Sequence, residues 1–397
     1  MTLSERCLRI APSATLAIDA KAKAMIAAGQ DVLSFGAGEP DFDTPAYICD
    51  AAKEALALGM TRYTAVAGTM ELRNQIVLKL KKDNDLNYEA ADIIVSNGAK
   101  QSLFNALSAI VNPGDEVLLP GPCWVSYPEM VRMAGGTPVL IPGREEDGFV
   151  VTAREIAPYV NARTKAIILN SPNNPNGAVW GADVLEGIGQ LAVSRGFYVI
   201  SDEIYEKLIY DGRRHVSIAQ LSAQIKAQTI VVNGLSKAFA MTGWRIGYAA
   251  GPRPIIKAMC AFQSHSTSAP NAIAQHAAAI ALTNGEIQTE EMRKEFDTRR
   301  KLMYNCVGLI EGLSTHMPQG AFYMMLNIAG VIGKSFEGRT ITDAMDFAEM
   351  LLASEKVAVV PGTPFGSDHH VRVSYATSQE KIRRGLERIG TFVKKLE

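Results

Sequence analysis

The sequence predicts an α/β fold: a mostly parallel central sheet with helices on both faces, plus a smaller α+β domain. Short β-rich runs alternate with amphipathic helical stretches through the first two thirds of the chain. The last hundred or so residues change texture, with one long charged helical stretch among separated strands. No repeat, low-complexity tract or Pro/Ser-rich linker cuts the 397 residues into beads, so the two units are expected to interleave. The expected division is 46–285 for a large domain, and 1–45 with 286–397 for a small one.

In chain order, LAIDAKAKAMIAAGQ (16–30) reads as a helix closed by Gly29. IIVSNGAK (93–100) is a strand that runs into the helix QSLFNALSAIV (101–111), where Leu103, Leu107 and Ile110 recur at helical spacing. DEVLLP (115–120), TPVLIPG (137–143), AIILNSP (166–172), FYVISDEIY (197–205) and QTIVVNGL (228–235) are strands. Between them, SYPEMVRMAG (126–135) and ADVLEGIGQLAVSRG (182–196) are helices. Beyond these lie a helix at about 286–312, strands near GAFYMMLNI (320–328) and VAVVPG (357–362), and a helix around TDAMDFAEMLLAS (342–354). VRVSYA (371–376) is a strand, and Thr377 with Glu380 reads as the capping box of a final helix.

Composition narrows the function. Lys plus Arg (40) nearly balances Asp plus Glu (41), so no global field draws the chain to nucleic acid or an anionic membrane. A small-molecule partner is the expectation. The N-terminal stretch shows no signal-peptide layout, and no apolar run nears the ~18 residues of a membrane helix. Cys7, Cys49, Cys123, Cys260 and Cys306 are scattered and lack CxxC spacing, which disfavours a disulfide framework or thiolate metal site and suggests a cytoplasmic protein.

Ligands of open α/β sheets bind outside the carboxyl ends of the strands, so the residues placed there are the candidates. One strand ends at Gly98, where the amides of Ala99 and Lys100 open a helix and can cradle a phosphate. Another ends in the NNPNG loop with Asn174, a third in Asp202 with Tyr205 close behind, and a fourth in Ser236 and Lys237. Singly, each has a structural explanation: a tight turn, a turn-forming loop, a helix cap, a solvated lysine. Jointly they match a Schiff-base chemistry with a phosphorylated aldehyde cofactor. A desolvated Lys237 offers a neutral amine, and Asp202 keeps a pyridine nitrogen protonated so that the ring becomes an electron sink. Tyr205 and Asn174 suit a phenolic oxygen, Arg245 a phosphate, and Trp124 a ring face.

The segments FGAGEPDFDTP (35–45), RYTAVAGTMELR (62–73), SNGAKQSLFNAL (96–107), GPCWVSYPEMV (121–131), NSPNNPNG (170–177), SDEIYEKLIY (201–210), SKAFAMTGWRIGY (236–248) and VRVSYATS (371–378) occur in family order. On them the chain resembles the class I aminotransferases of pyridoxal-phosphate fold type I, the bacterial-type aspartate aminotransferases in particular. The resemblance implies a fold type I transferase that moves an amino group from aspartate to 2-oxoglutarate, using pyridoxal 5'-phosphate and passing through pyridoxamine phosphate. It implies Lys237 as the Schiff-base lysine and proton carrier, Asp202 at the pyridine nitrogen, Tyr205 and Asn174 at the ring hydroxyl, and Trp124 on the ring. Gly98, Ala99, Lys100, Ser236 and Arg245 would line the phosphate side, joined by Tyr63 from the other subunit of a homodimer. Arg372 would clamp the substrate α-carboxylate with Gly38, Asn174 and Trp124 beside it, and Lys100 would read the distal carboxylate. NNPNG departs from the family pattern at Asn176, a turn position that accepts Asn. Relatives that also use prephenate carry a basic residue just before the early Pro-Ser, where this chain has Ala11.

Rival classes fit less well. FGAGEPD breaks the dinucleotide fingerprint at Asp41, and Gly333-Lys334-Ser335 lacks the first P-loop glycine, Ile328 standing in its place. An aminotransferase-like sensor module of a transcription regulator would need a basic domain ahead of the fold, for which only about thirty residues remain. A lyase or decarboxylase on the same fold remains open. His215, His265, His276, His316 and the pair His369-His370 read as structural or exposed.

Overall fold

Residues 2–8, 10 and 14–397 are described by the structure, a computed structural model. Ala11, the position that bears on prephenate, lies outside them. Seven strands build the central sheet: β1 (Ile93–Ser96), β2 (Glu116–Pro120), β3 (Thr137–Ile141), β4 (Thr164–Asn170), β5 (Tyr198–Asp202), β6 (Thr229–Gly234) and β7 (Gly247–Ala250). Their order is β1-β7-β6-β5-β4-β2-β3. All run parallel except β7, which lies antiparallel between β1 and β6. The reversal matters for the site. An antiparallel return starts at the edge where β6 ends, so both ends of the 235–246 connection lie at the carboxyl edge of the sheet. Gly-Tyr-Ala-Ala carries no β-branched signal, and β7 is not foreseen from the sequence.

The strands are apolar through their length because helices cover both faces. These helices are α2 (Ala46–Ala57), α3 (Met70–Asn84), α4 (Ala99–Ile110), α5 (Ser126–Met133), α6 (Ala182–Arg195), α7 (Arg253–Ser266) and α8 (Ala272–Asn284), whereas α1 (Ala14–Ala27) lies elsewhere, its Ala22 sharing a small core with Val32, Leu352 and Ala358. On one face, Leu107 of α4, Met130 of α5 and Met259 of α7 share a core with Ile168, Ile200 and Val232. On the other, Ile76 of α3 and Ala277 of α8 pack with Val95 and Val231, and Ile188 of α6 packs with Ile167 and Val199. Neighbours such as Ile167 and Ile168 thus serve opposite layers, as strand alternation requires.

A second sheet follows the long helix α9 (Glu286–Val307): β8 (Ser314–Thr315), β9 (Tyr323–Asn327), β10 (Val360–Pro361) and β11 (His370–Ser374), in the antiparallel order β10-β11-β9-β8. Helices α10 (Ala344–Glu355) and α11 (Gln379–Lys394) close its core, where Phe296, Phe322, Phe347 and Phe392 meet. The N-terminal segment joins this unit, since Leu33–Ser34 pairs in parallel with Val357–Ala358. The same core takes in Tyr205 and Leu208 from the connection after β5.

Two local expectations are corrected. Helix α9 stops at Val307, five residues short of the expected 312, with Gly308 as its cap. The cap of α11 is Ser378, whose Oγ accepts from the Lys381 amide at 3.3 Å; Thr377 is one residue too early for that geometry.

Candidate active site

Strand β6 delivers Lys237 through a turn in which the Phe239 amide donates to Leu235 O and the Met241 amide to Ser236 O. Its Nζ donates to Gly38 O at 2.6 Å, so the N-terminal segment lies directly over the amine. Burial pushes this amine down to about 8, and Arg245 and Arg372 add to the effect against Glu39 and Asp202.

Asp202 ends the neighbouring strand β5, buried. It accepts from Tyr127 Oη at 2.7 Å and from the Ile204 amide at 3.2 Å. Burial pushes its carboxyl up to about 6, although both hydrogen bonds and Lys237 oppose the shift. Its donors are a hydroxyl and an amide, so this carboxylate can still accept a cationic partner.

Asn170, at the end of β4, ties the next strand in: its Nδ2 donates to Asp202 O at 3.0 Å, and its Oδ1 accepts from the Asn174 amide at 2.9 Å. That clip orients Asn174, whose Oδ1 accepts from Arg372 Nη1 at 3.0 Å. In the same loop the Asn176 Oδ1 accepts from the Ala178 amide at 2.8 Å, so the unusual Asn supplies its own turn bond. Arg372 also donates to Gly36 O at 3.1 Å, and its guanidinium lies 4.4 Å from the Tyr323 ring and 5.2 Å from the Phe365 ring. Its Nε is buried without a partner among the described residues, and burial lowers its proton affinity. Such an orphaned donor calls for an acceptor. The Tyr205 and Tyr323 hydroxyls lie 3.1 Å apart.

On the other side of Lys237, Gly98 caps α4 with φ +87°. A Cβ there would stand 2.4 Å from Arg245 Nη2, which shows how closely the guanidinium lies against the helix start. Arg245 is itself held by Thr242 O at 2.8 Å and Asn97 O at 3.3 Å. Gly247 allows the same closeness from β7, since a Cβ would meet the Ala99 amide nitrogen at 2.2 Å. Ser236 is buried at this edge. The Lys100 amine sits 4.7 Å over the half-buried Trp124 ring, lowered by desolvation and by Arg245. Trp124 meets Tyr127 edge-on at 5.4 Å.

The contacts above thus link Gly38, Gly98, Lys100, Trp124, Asn174, Asp202, Tyr205, Lys237, Arg245 and Arg372 into one site, with Ala99 at the helix start. Tyr63 stands apart, 96% exposed. Sequence reasoning placed Asn170 at a strand end without giving it a role, and missed Tyr127, Tyr323 and Phe365. Tyr323 reaches the site through register: β9 and β11 pair Met325 with Arg372, and Tyr323 lies two residues away on the same face, a pairing the sequence does not display. Of the histidines, His215 is tied behind the site, its Nε2 2.9 Å from Glu203 Oε2.

Residues 30–389 match the family described as aminotransferase class I and II. The chain belongs to this family. It is similar to the aspartate aminotransferase of Geobacillus stearothermophilus, at 46% identity over 99% of each chain. It is also similar to the aspartate/prephenate aminotransferase of Thermus thermophilus, at 46% identity over 97% of each. Among solved structures, the aspartate aminotransferase of Rhizobium meliloti superposes with a TM-score of 0.97 at 43% identity, covering 100% of both chains. The chain is therefore an aminotransferase of fold type I, a family whose enzymes work with pyridoxal 5'-phosphate on amino and 2-oxo acids. Among the described residues of this aminotransferase, no helix is long and apolar enough to cross a membrane.

Proposed function

We propose that this aminotransferase catalyses reversible amino transfer from L-aspartate to 2-oxoglutarate, with pyridoxal 5'-phosphate as cofactor. The observation that carries the reading is the meeting, at one sheet edge, of an amine with a lowered proton affinity, a buried acid whose hydrogen-bond donors are both neutral, and a buried guanidinium with an orphaned Nε. The residues fit the cofactor. The glycine-opened start of α4 with Arg245 and Ser236 suits a phosphate, and Asp202 suits a protonated ring nitrogen. Asn174 and Tyr205 suit its hydroxyl, and Trp124 its face.

Pyridoxal 5'-phosphate, when bound, supplies an electron sink for the charge left at the substrate Cα when a proton departs. The chain supplies the rest. Arg372, pre-aimed by Asn174 and Gly36 O, grips the α-carboxylate bidentately and turns the Cα–H toward Lys237. Lys237 Nζ accepts the Cα proton, a role suited to an amine pushed down to about 8. Gly38 and the segment around it cover the amine and restrict water. Lys100, an exposed residue whose amine lies over Trp124, is the group assigned to the distal carboxylate, a charge match that an apolar side chain would not offer. The names of the relatives, which include aspartate and aspartate/prephenate enzymes, support the acidic donor.

We assign the chain two working units, 46–285 and 1–45 with 286–397, and a homodimer in which Tyr63 completes the neighbouring site. The exposure of Tyr63 supports the latter. We infer a cytoplasmic setting from the five scattered cysteines without CxxC spacing.

The test is a set of half-reactions, following the visible absorbance of the lysine-bound cofactor after mixing with aspartate, phenylalanine, alanine or arginine. Aspartate should discharge it fastest. Faster discharge by phenylalanine would refute the acidic-donor assignment, and steady release of ammonia or carbon dioxide would replace transfer by elimination or decarboxylation.

A further inference from the structure

The segment 201–207 faces two ways. Along β5 side chains alternate, so Asp202 turns to the site while Ser201 and Glu203 turn to the reverse face. There Glu203 is 1% exposed. Its Oε1 accepts from Ser201 Oγ at 2.8 Å and from Ser217 Oγ at 2.7 Å, and its Oε2 lies 2.9 Å from His215 Nε2. Glu206 repeats the arrangement next to Tyr205: it pairs with Lys79 and accepts from Asn84 Nδ2 at 2.9 Å. The Glu206 amide donates to Glu203 O at 2.9 Å, closing the turn that sets Tyr205. Asp202 and Tyr205, two of the residues assigned to the cofactor ring, are therefore chain neighbours of a buried carboxylate anchored to other elements.

The two anchors differ in make-up. Lys79 answers Glu206, whereas Glu203 is held by two hydroxyls and an imidazole. His215 Nδ1 is buried with no partner among the described residues, so Nε2 is the ring nitrogen that meets Glu203. The ionisable groups around the cage are His215, Tyr88, Tyr248, Asp202 and the Lys79–Glu206 pair. The negative charge of Glu203 acts on Tyr88, Tyr248 and Asp202 in the same sense, holding their protons more tightly.

We propose that Glu203 is a positioning residue for amino transfer: a buried negative charge, tied behind the strand end, that fixes Asp202 toward the cofactor and strengthens its hold on the ring-nitrogen proton. This rests on the reading that Asp202 faces that nitrogen. Asp202 would make the contact, and Glu203 would add a second negative charge from a low-dielectric position one residue away.

The experiment uses holoenzyme loaded with pyridoxal phosphate carrying nitrogen-15 in its ring. Glu203→Gln keeps length and hydrogen-bonding capacity but removes the charge. Its ring-nitrogen resonance should move toward the unprotonated value, and the dissociation constant for the cofactor should rise about tenfold, the equivalent of one pK unit. Glu203→Asp should restore the resonance. Ser217→Ala, which loosens the cage but keeps the charge, should leave the resonance in place. An unchanged resonance in Glu203→Gln, or the same shift in Ser217→Ala, would overturn the proposal. If Glu203→Gln does not fold, the wild-type carboxyl resonance of Glu203 at pH 7 decides: a protonated acid there sinks the idea, and a carboxylate sustains it. Failure of the wild type to take up the cofactor would sink the underlying reading instead.

Discussion

Lys237 lies where burial outweighs two acidic influences, so its amine loses its proton more readily than a free lysine does. The sign gives a pH prediction. With the amine near 8, the nucleophilic form grows as pH rises and saturates above that value, so cofactor uptake by apoprotein should speed up through about pH 8 and then level off. Stopped-flow uptake that keeps climbing to pH 10.5, the ordinary lysine value, would mean that Lys237 is solvated. Arg372 gives a second residue-scale prediction. Lysine at this position keeps the charge but cannot span both Asn174 Oδ1 and a carboxylate in a planar fork. Arg372→Lys should lower kcat/KM for aspartate by roughly two orders of magnitude, about 3 kcal/mol, while leaving the absorbance of bound cofactor intact. Steady-state kinetics beside a spectrum of the same sample separates the two effects. Lys237 and Arg372 were legible in the sequence because their own chemistry is unusual for a strand end or an apolar strand. Tyr127 and Tyr323 were not, because an aromatic residue among apolar neighbours looks the same whether it packs a core or lines a site, and Phe365 was not, because its Gly/Pro-rich surroundings read as a turn.

At the scale of elements, parallel strands are recognisable by their apolar runs, and the carboxyl-edge rule then collects Gly98, Asn174, Asp202 and Lys237 without knowledge of strand order. What the runs do not reveal is direction. β7 is short, built of Gly, Tyr and Ala, and antiparallel, yet it brings the end of the 235–246 connection back to the starting edge and so sets Arg245 against α4. Capping residues are equally local: Thr377 and Ser378 are adjacent hydroxyls, and only the backbone angles at Ser378 select the cap. The start of α4 carries the element-scale prediction. Gly98→Ala imposes a Cβ at φ +87° and only 2.4 Å from Arg245 Nη2, so both the turn and the guanidinium must shift. The expected result is a protein that folds, with a helix start displaced from Arg245 and an affinity for pyridoxal phosphate lowered at least about tenfold. Inorganic phosphate should compete with the cofactor on the wild type and weakly, if at all, on the variant. Equal cofactor titrations for the two proteins would remove this helix start from the phosphate site.

At the scale of the whole molecule, the two sheets meet through side chains that belong to the site. Lys237 reaches the N-terminal segment at Gly38 O, Asn174 holds Arg372 from β11, and Tyr205 touches Tyr323 from β9. A relative movement of the two sheets would therefore change the spacing between the amine and the carboxylate grip. Tyr63, by contrast, contributes to none of these contacts and presents an almost fully exposed ring, with Leu58 and Met60 also exposed nearby in the chain. A dimer that shares sites would bury that ring, and mixing variants distinguishes shared sites from independent ones. Lys237→Ala chains keep Tyr63, and Tyr63→Ala chains keep Lys237. In a mixed dimer with exchange across the interface, one site carries both defects and the other carries neither, so the mixed dimer should show about half the activity of wild type although each parent dimer is impaired. Sites built within single chains would instead give the mean of the two parents. Co-expression with two affinity tags and purification of the doubly tagged dimer gives the species whose turnover decides between these values.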